Sequence, residues 1–102
     1  MYVDDLADAL FFLMSKINAK DLYELGLTHL NIGTGKDLTI SELAELIKKT
    51  VGYEGEIIYD STKPDGTPKK LLDVARINRL GWNSKIQLDE GIKNTYEWFV
   101  QL

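Results

Sequence analysis

The chain has 102 residues, 44% hydrophobic and 27% charged, with no cysteine and a formal net charge of −4. Such a composition fits one folded domain, residues 1–102, and excludes a disulfide framework, a thiolate metal site and a disordered polar chain. The acidic balance argues against a general nucleic-acid binder, and no run reaches the roughly 18 apolar residues of a membrane span, so the expected setting is the cytoplasm.

Residues 4–17 place Leu6, Leu10, Leu13, Met14 and Ile17 at helical spacing behind Asp4 and Asp5, whose charge suits a helix start. Phe11 and Phe12 widen that apolar face, as in a helix covered on more than one side. Residues 18–28 form a connection with room for a short helical turn ended by Gly26. "HLNIGTGKD" reads as a strand over residues 29–32, stopped by Gly33 and Gly35. Thr39 and Glu42 spell a T-x-x-E capping box for a second helix, with Ile40, Leu43, Ala44, Ile47 and Val51 on one face and Gly52 at its end.

"EIIYD", residues 56–60, and "KLLD", residues 70–73, are further strand candidates. Asp73 is placed to cap the short helix "VARINRL", ended by Gly81, and a last helix of roughly residues 88–101 aligns Leu88, Ile92, Thr95, Tyr96 and Phe99. The expected fold class is therefore α/β, a small mixed unit of about four helices and two or three short strands.

Three short patterns lack the context their chemistry needs. Tyr2, Val3, Asp4 and Asp5 match Y-x-D-D, yet a two-metal site needs a third acidic group on a large scaffold, whereas here the acids open a helix. "GTGK" is not a phosphate loop, because Leu30 stands where glycine is required and Asp37 where serine or threonine is. Tyr59 and Lys63 have Y-x-x-x-K spacing, but that spacing joins two side chains only on a helix, and Pro64 biases Lys63 away from the helical conformation. The lone histidine, His29, has no recognisable catalytic companion.

The segment "STKPDGTPKKLLD", residues 61–73, is different in kind. It holds both prolines of the chain and opens a basic stretch, residues 63–79, where five Lys and Arg face two Asp. Pro64 and Pro68 restrict the loop before any ligand arrives and Gly66 permits a tight turn, so the Asp65 carboxylate is held at little ordering cost. A fixed carboxylate suits paired donors such as sugar hydroxyls or a guanine edge; Lys63, Lys69 and Lys70 suit a nearby diphosphate. The alternative is a rigid turn whose lysines stay in water.

"KPDGTPKKLLDVARINRLGW" closely resembles a segment of GDP-L-fucose synthases, which recurrently reads K-P-D-G-T-P-[RK]-K-L-L-D. "YVDDLADA", "HLNIGTG" and "IKNTYEWFVQL" extend the resemblance over essentially the whole chain. It implies the C-terminal, substrate-binding third of an extended short-chain dehydrogenase/reductase that uses NADP(H), with Asp65 a contact to the GDP-sugar. It further implies that the Rossmann domain, the cofactor site, the serine and the Tyr-x-x-x-Lys pair all belong to a missing N-terminal part. The chain then carries no cofactor and no catalytic residue of its own, and exposes an apolar surface open to self-association. A stand-alone nucleotide-sugar-binding or docking module, and a piece of a related epimerase or dehydratase, are the alternatives.

Overall fold

The computed structural model describes residues 1–102 as five helices: α1 (Val3–Lys16), α2 (Ala19–Glu24), α3 (Ile40–Val51), α4 (Ala75–Leu80) and α5 (Leu88–Val100). Their ends follow local chemistry. The α3 capping box is complete: the Glu42 amide donates to Thr39 Oγ1 at 3.1 Å, and the Thr39 amide donates to Glu42 Oε2 at 2.7 Å. Gly52 and Gly81 close α3 and α4 with φ of 72° and 112°, a conformation that a side chain disfavours. The helical turn expected between residues 18 and 28 is a helix in its own right, so there are five helices rather than four.

The expected strands do not form. Residues 29–32, 56–60 and 70–73 belong neither to a helix nor to a ladder, and the α/β expectation is corrected to an all-helical chain. The physical reason is that a strand is defined by its neighbour: β-rich side chains favour the conformation, but without a second strand no ladder exists.

Two packing centres organise the molecule. In the first, Ala9 of α1, Val74, Ile77 of α4 and Trp82 form a small core, joined by the partly buried Phe12, Leu13 and Ile32. In the second, α3 lies against α5. Between them the chain stays open. Its radius of gyration is 17.5 Å, against about 13 Å for a compact domain of this length. Its accessible surface is 8338 Å², against about 5,800 Å² for a closed globule of this mass. Large apolar side chains contribute to the difference: Met14 is 88% exposed, Phe11 73%, Phe99 63% and Trp98 62%. No helix is long and apolar enough to cross a membrane.

Candidate functional site

The proline-bearing loop starts in a tight turn. Asp60 Oδ1 accepts from the Thr62 hydroxyl at 2.5 Å and the Thr62 amide at 2.9 Å, and these bonds hold the Asp60 carboxyl below the usual carboxylate range. The Lys63 amide closes the turn on the Asp60 carbonyl at 3.4 Å. At the other end, Asp73 Oδ1 accepts from the Ala75 amide at 2.9 Å, the capping role its position suggests, while its carbonyl accepts from Asn31 Nδ2 at 3.2 Å. Between these anchors every residue from Ser61 to Asp73 is exposed.

Under the loop's exit, two glycines make room for its return. A Cβ on Gly33 would stand 3.2 Å from Val74 Cγ1, and one on Gly35, whose φ is +73°, 3.0 Å from Val74 Cγ2. The "GTG" turn therefore lets Val74 press onto bare backbone. An open cleft of about 530 Å³ runs beside this contact, lined by Lys36, Leu71, Leu72 and Asn78 among others, with a polar hollow of about 210 Å³ next to it between His29, Asn31, Asp73 and Arg76.

Of the four residues expected at the site, Lys69 reaches across to Asp37, with Nζ 4.0 Å from Oδ2. The side chains of Asp65, Lys63 and Lys70 make no hydrogen bond or ion pair and line none of the five principal cavities. The structure thus pairs Lys69 with Asp37 and leaves Asp65 with both oxygens free. Tyr59 does not approach Lys63 on a helix; its hydroxyl pairs with Ser41 Oγ at 2.8 Å. No group of three or more His, Asp or Glu side chains is arranged to hold a metal ion.

No family model matches the chain. It is 50% identical to the probable GDP-L-fucose synthase 1 of Oryza sativa subsp. japonica over 99% of its own length and 29% of that protein's. With the GDP-L-fucose synthase of Escherichia coli K12 it shares 47% identity over 99% of its length and 32% of the relative's. The chain belongs to the GDP-L-fucose synthase family. Among solved structures, the GDP-mannoheptose C4 reductase of Campylobacter jejuni with NADP bound superposes with a TM-score of 0.80 at 41% identity, over 95% of this chain and 29% of that one. The chain therefore spans about three tenths of the length of its relatives and represents a C-terminal portion of the GDP-L-fucose synthase fold.

Within that portion, the two carboxylates that tie α1 to residues 82–86 are ones the sequence reading placed only as helix-start charge or passed over. Asp5, 2% exposed, accepts three hydrogen bonds, from the Lys85 amide at 3.1 Å to each oxygen and from the Ile86 amide at 2.9 Å. One turn on, Asp8 Oδ2 accepts from Trp82 Nε1 at 2.9 Å and lies 3.5 Å from Lys85 Nζ. The indole bond, with the Lys85 charge beside it, holds the Asp8 carboxyl below its ordinary range. The available signal was the i,i+3 spacing of Asp5 and Asp8, which puts both on one helix face; nothing local identified their partners in residues 82–86.

Proposed function

We propose that this chain is the GDP-sugar-binding portion of an NADP-dependent enzyme that epimerises and reduces GDP-4-keto-6-deoxy-mannose to GDP-L-fucose, and that alone it turns over nothing. The observation that carries the reading is the near-half identity to GDP-L-fucose synthases across 99% of the chain, which includes a loop held at both ends with an unengaged Asp65 between.

In this reading Asp65 accepts hydrogen bonds from paired donors on the nucleotide sugar, and the Pro64 and Pro68 restraints keep its carboxylate where the ligand needs it. Lys63 and Lys70 lie free in solvent and Lys69 is shared only with Asp37 at 4.0 Å, so all three are available to a diphosphate. NADP supplies the hydride when the whole enzyme is assembled. The one Gly-rich turn of this chain is packed by Val74 and has Leu38 where a dinucleotide-binding loop needs its third glycine, which supports placing the cofactor on the rest of the enzyme. What the chain contributes is binding and orientation, the part of catalysis that comes from holding a substrate in place.

The test pairs the purified chain with the N-terminal portion of the E. coli relative that precedes the matching region. NADPH oxidation with the keto sugar nucleotide is expected for the mixture and absent for either part alone. Turnover by the chain alone, or calorimetric binding of GDP-mannose that survives Asp65→Ala unchanged, overturns the reading.

A further inference from the structure

Two prolines make the loop of residues 61–73 stiff, but stiffness alone does not aim it: a rigid arch on loose feet swings as one piece. The feet are fixed by a single stretch of chain. Asn31 Nδ2 donates to the Asp73 carbonyl at 3.2 Å, and the bare backbone of Gly33 and Gly35 receives the methyls of Val74, itself 7% exposed. Asp37 Oδ2 lies 4.0 Å from Lys69 Nζ, and Ser41 Oγ shares a hydrogen bond of 2.8 Å with the Tyr59 hydroxyl. As the first segment advances from residue 31 to residue 41, its partners retreat from residues 73 and 74 through 69 to 59. Between the last two contacts, residues 60–68 bond only to one another, and Asp65 stands near the middle of that arch.

The segment beneath is itself braced. Thr34 Oγ1 accepts from the Lys36 amide at 3.3 Å and donates to the Lys36 carbonyl at 3.2 Å. Lys36 Nζ reaches Gln87 Oε1 at 3.4 Å, the Thr39–Glu42 box locks the first turn of α3, and α3 lies against α5. We infer that residues 31–41 are the platform that aims Asp65, with Asn31 and Ser41 as positioning residues that hold the arch by its two ends. That Asp65 meets a nucleotide sugar rests on the proposed GDP-sugar-binding role. These two tethers decide the matter because their bonds are directional and join positions 42 and 18 residues apart, whereas the Lys69–Asp37 contact is a long, solvent-exposed ion pair of a kind that contributes little. An arch ordered before the ligand arrives spares the complex the cost of ordering it. Tyr59 thereby gains a role that its Y-x-x-x-K spacing with Lys63 did not supply.

Nitrogen-15 relaxation and calorimetry on the purified chain test this. Asn31→Asp keeps the shape of the side chain and loses the donor; Ser41→Ala cuts the other tether at an exposed position, where folding is not at stake. In each variant the order parameters of the Asp65 and Gly66 amides are expected to fall from about 0.85 to about 0.6 or below, and GDP-mannose affinity to fall about threefold to tenfold. Ser41→Thr, which keeps a hydroxyl, restores both values, and Tyr59→Phe added to Ser41→Ala does no further damage because the two changes remove one shared bond. Thr50→Ala deletes a hydroxyl bond at the far end of α3, from Thr50 Oγ1 to the Leu46 carbonyl at 2.9 Å, and leaves both values at wild type. An arch that stays rigid when the tethers are cut, a looser arch that binds GDP-mannose as tightly as before, or equal effects from Thr50→Ala each overturns the proposal. Loosening by the two variants in a chain whose wild type binds no GDP-mannose sustains the platform and overturns the functional reading.

Discussion

Asp5 shows how much one carboxylate does when its surroundings leave it no water. Two amide donors converge on it, those of Lys85 and Ile86, so Asp5→Ala strands both N–H groups under α1 and is expected to cost about 2 kcal/mol. The check is the urea midpoint of the helical circular dichroism, with Asp5→Asn, which retains one acceptor oxygen, falling between wild type and alanine. Asp8 gives a pH dependence of known sign. Its folded pKa lies below the unfolded value, chiefly because of the Trp82 indole N–H, so its contribution is present above about pH 4 and is lost as the pH falls through the depressed pKa. Glu42, held low by the Thr39 amide and hydroxyl, and Asp60, held low by Thr62, act in the same direction. In a Trp98→Phe background, Trp82 emission is expected to shift red only below about pH 4; a shift beginning near pH 6 contradicts the assignment. The acids at the head of α1 were legible as helix-start charge. Their partners were not, because a contact spanning 80 residues leaves no trace in local spacing.

Helix boundaries were the most legible layer, since each is decided within a few residues. The Thr39–Glu42 box, the Gly52 and Gly81 stops and the Asp73 cap all appear where the sequence places them. Thr39→Ala is accordingly expected to lower stability by about 1 kcal/mol. The strands were the opposite case: their side-chain pattern was readable, but a ladder depends on a second segment that no local pattern reveals. The turn at residues 33–35 lies between these cases. The sequence identifies a turn and excludes a phosphate loop, but only the packing shows Val74 against it. Gly35→Ala meets both a left-handed backbone and a 3.0 Å contact, and about 1–2 kcal/mol of destabilisation is expected. Adding Val74→Ala relieves the contact and leaves the backbone strain, so the two changes should cost less together than the sum of each alone. Strict additivity in urea denaturation would show that Val74 does not plug the turn.

At the scale of the molecule, 8338 Å² of exposed surface and a 53 Å long axis describe something shaped by a neighbour. The groove of about 600 Å³ between Tyr2, Ile47, Ile92 and Phe99 is lined almost wholly by apolar side chains. The isolated chain is therefore expected to bind an apolar-surface dye, and the emission to fall on titration with the N-terminal portion of a relative. Emission as weak as a closed domain's would contradict the open shape. Composition gave no warning of this, because 44% hydrophobic residues is ordinary whether they are covered from within or from outside. The Asp5 contact carries a further consequence for the order of assembly. Individual helices form within about a microsecond, but closing the circuit from residue 5 to residues 85 and 86 brings together groups 80 positions apart. That closure belongs late in folding and early in unfolding, so any force or denaturant that separates the chain's two ends is felt first at this carboxylate, before a single helical turn is lost.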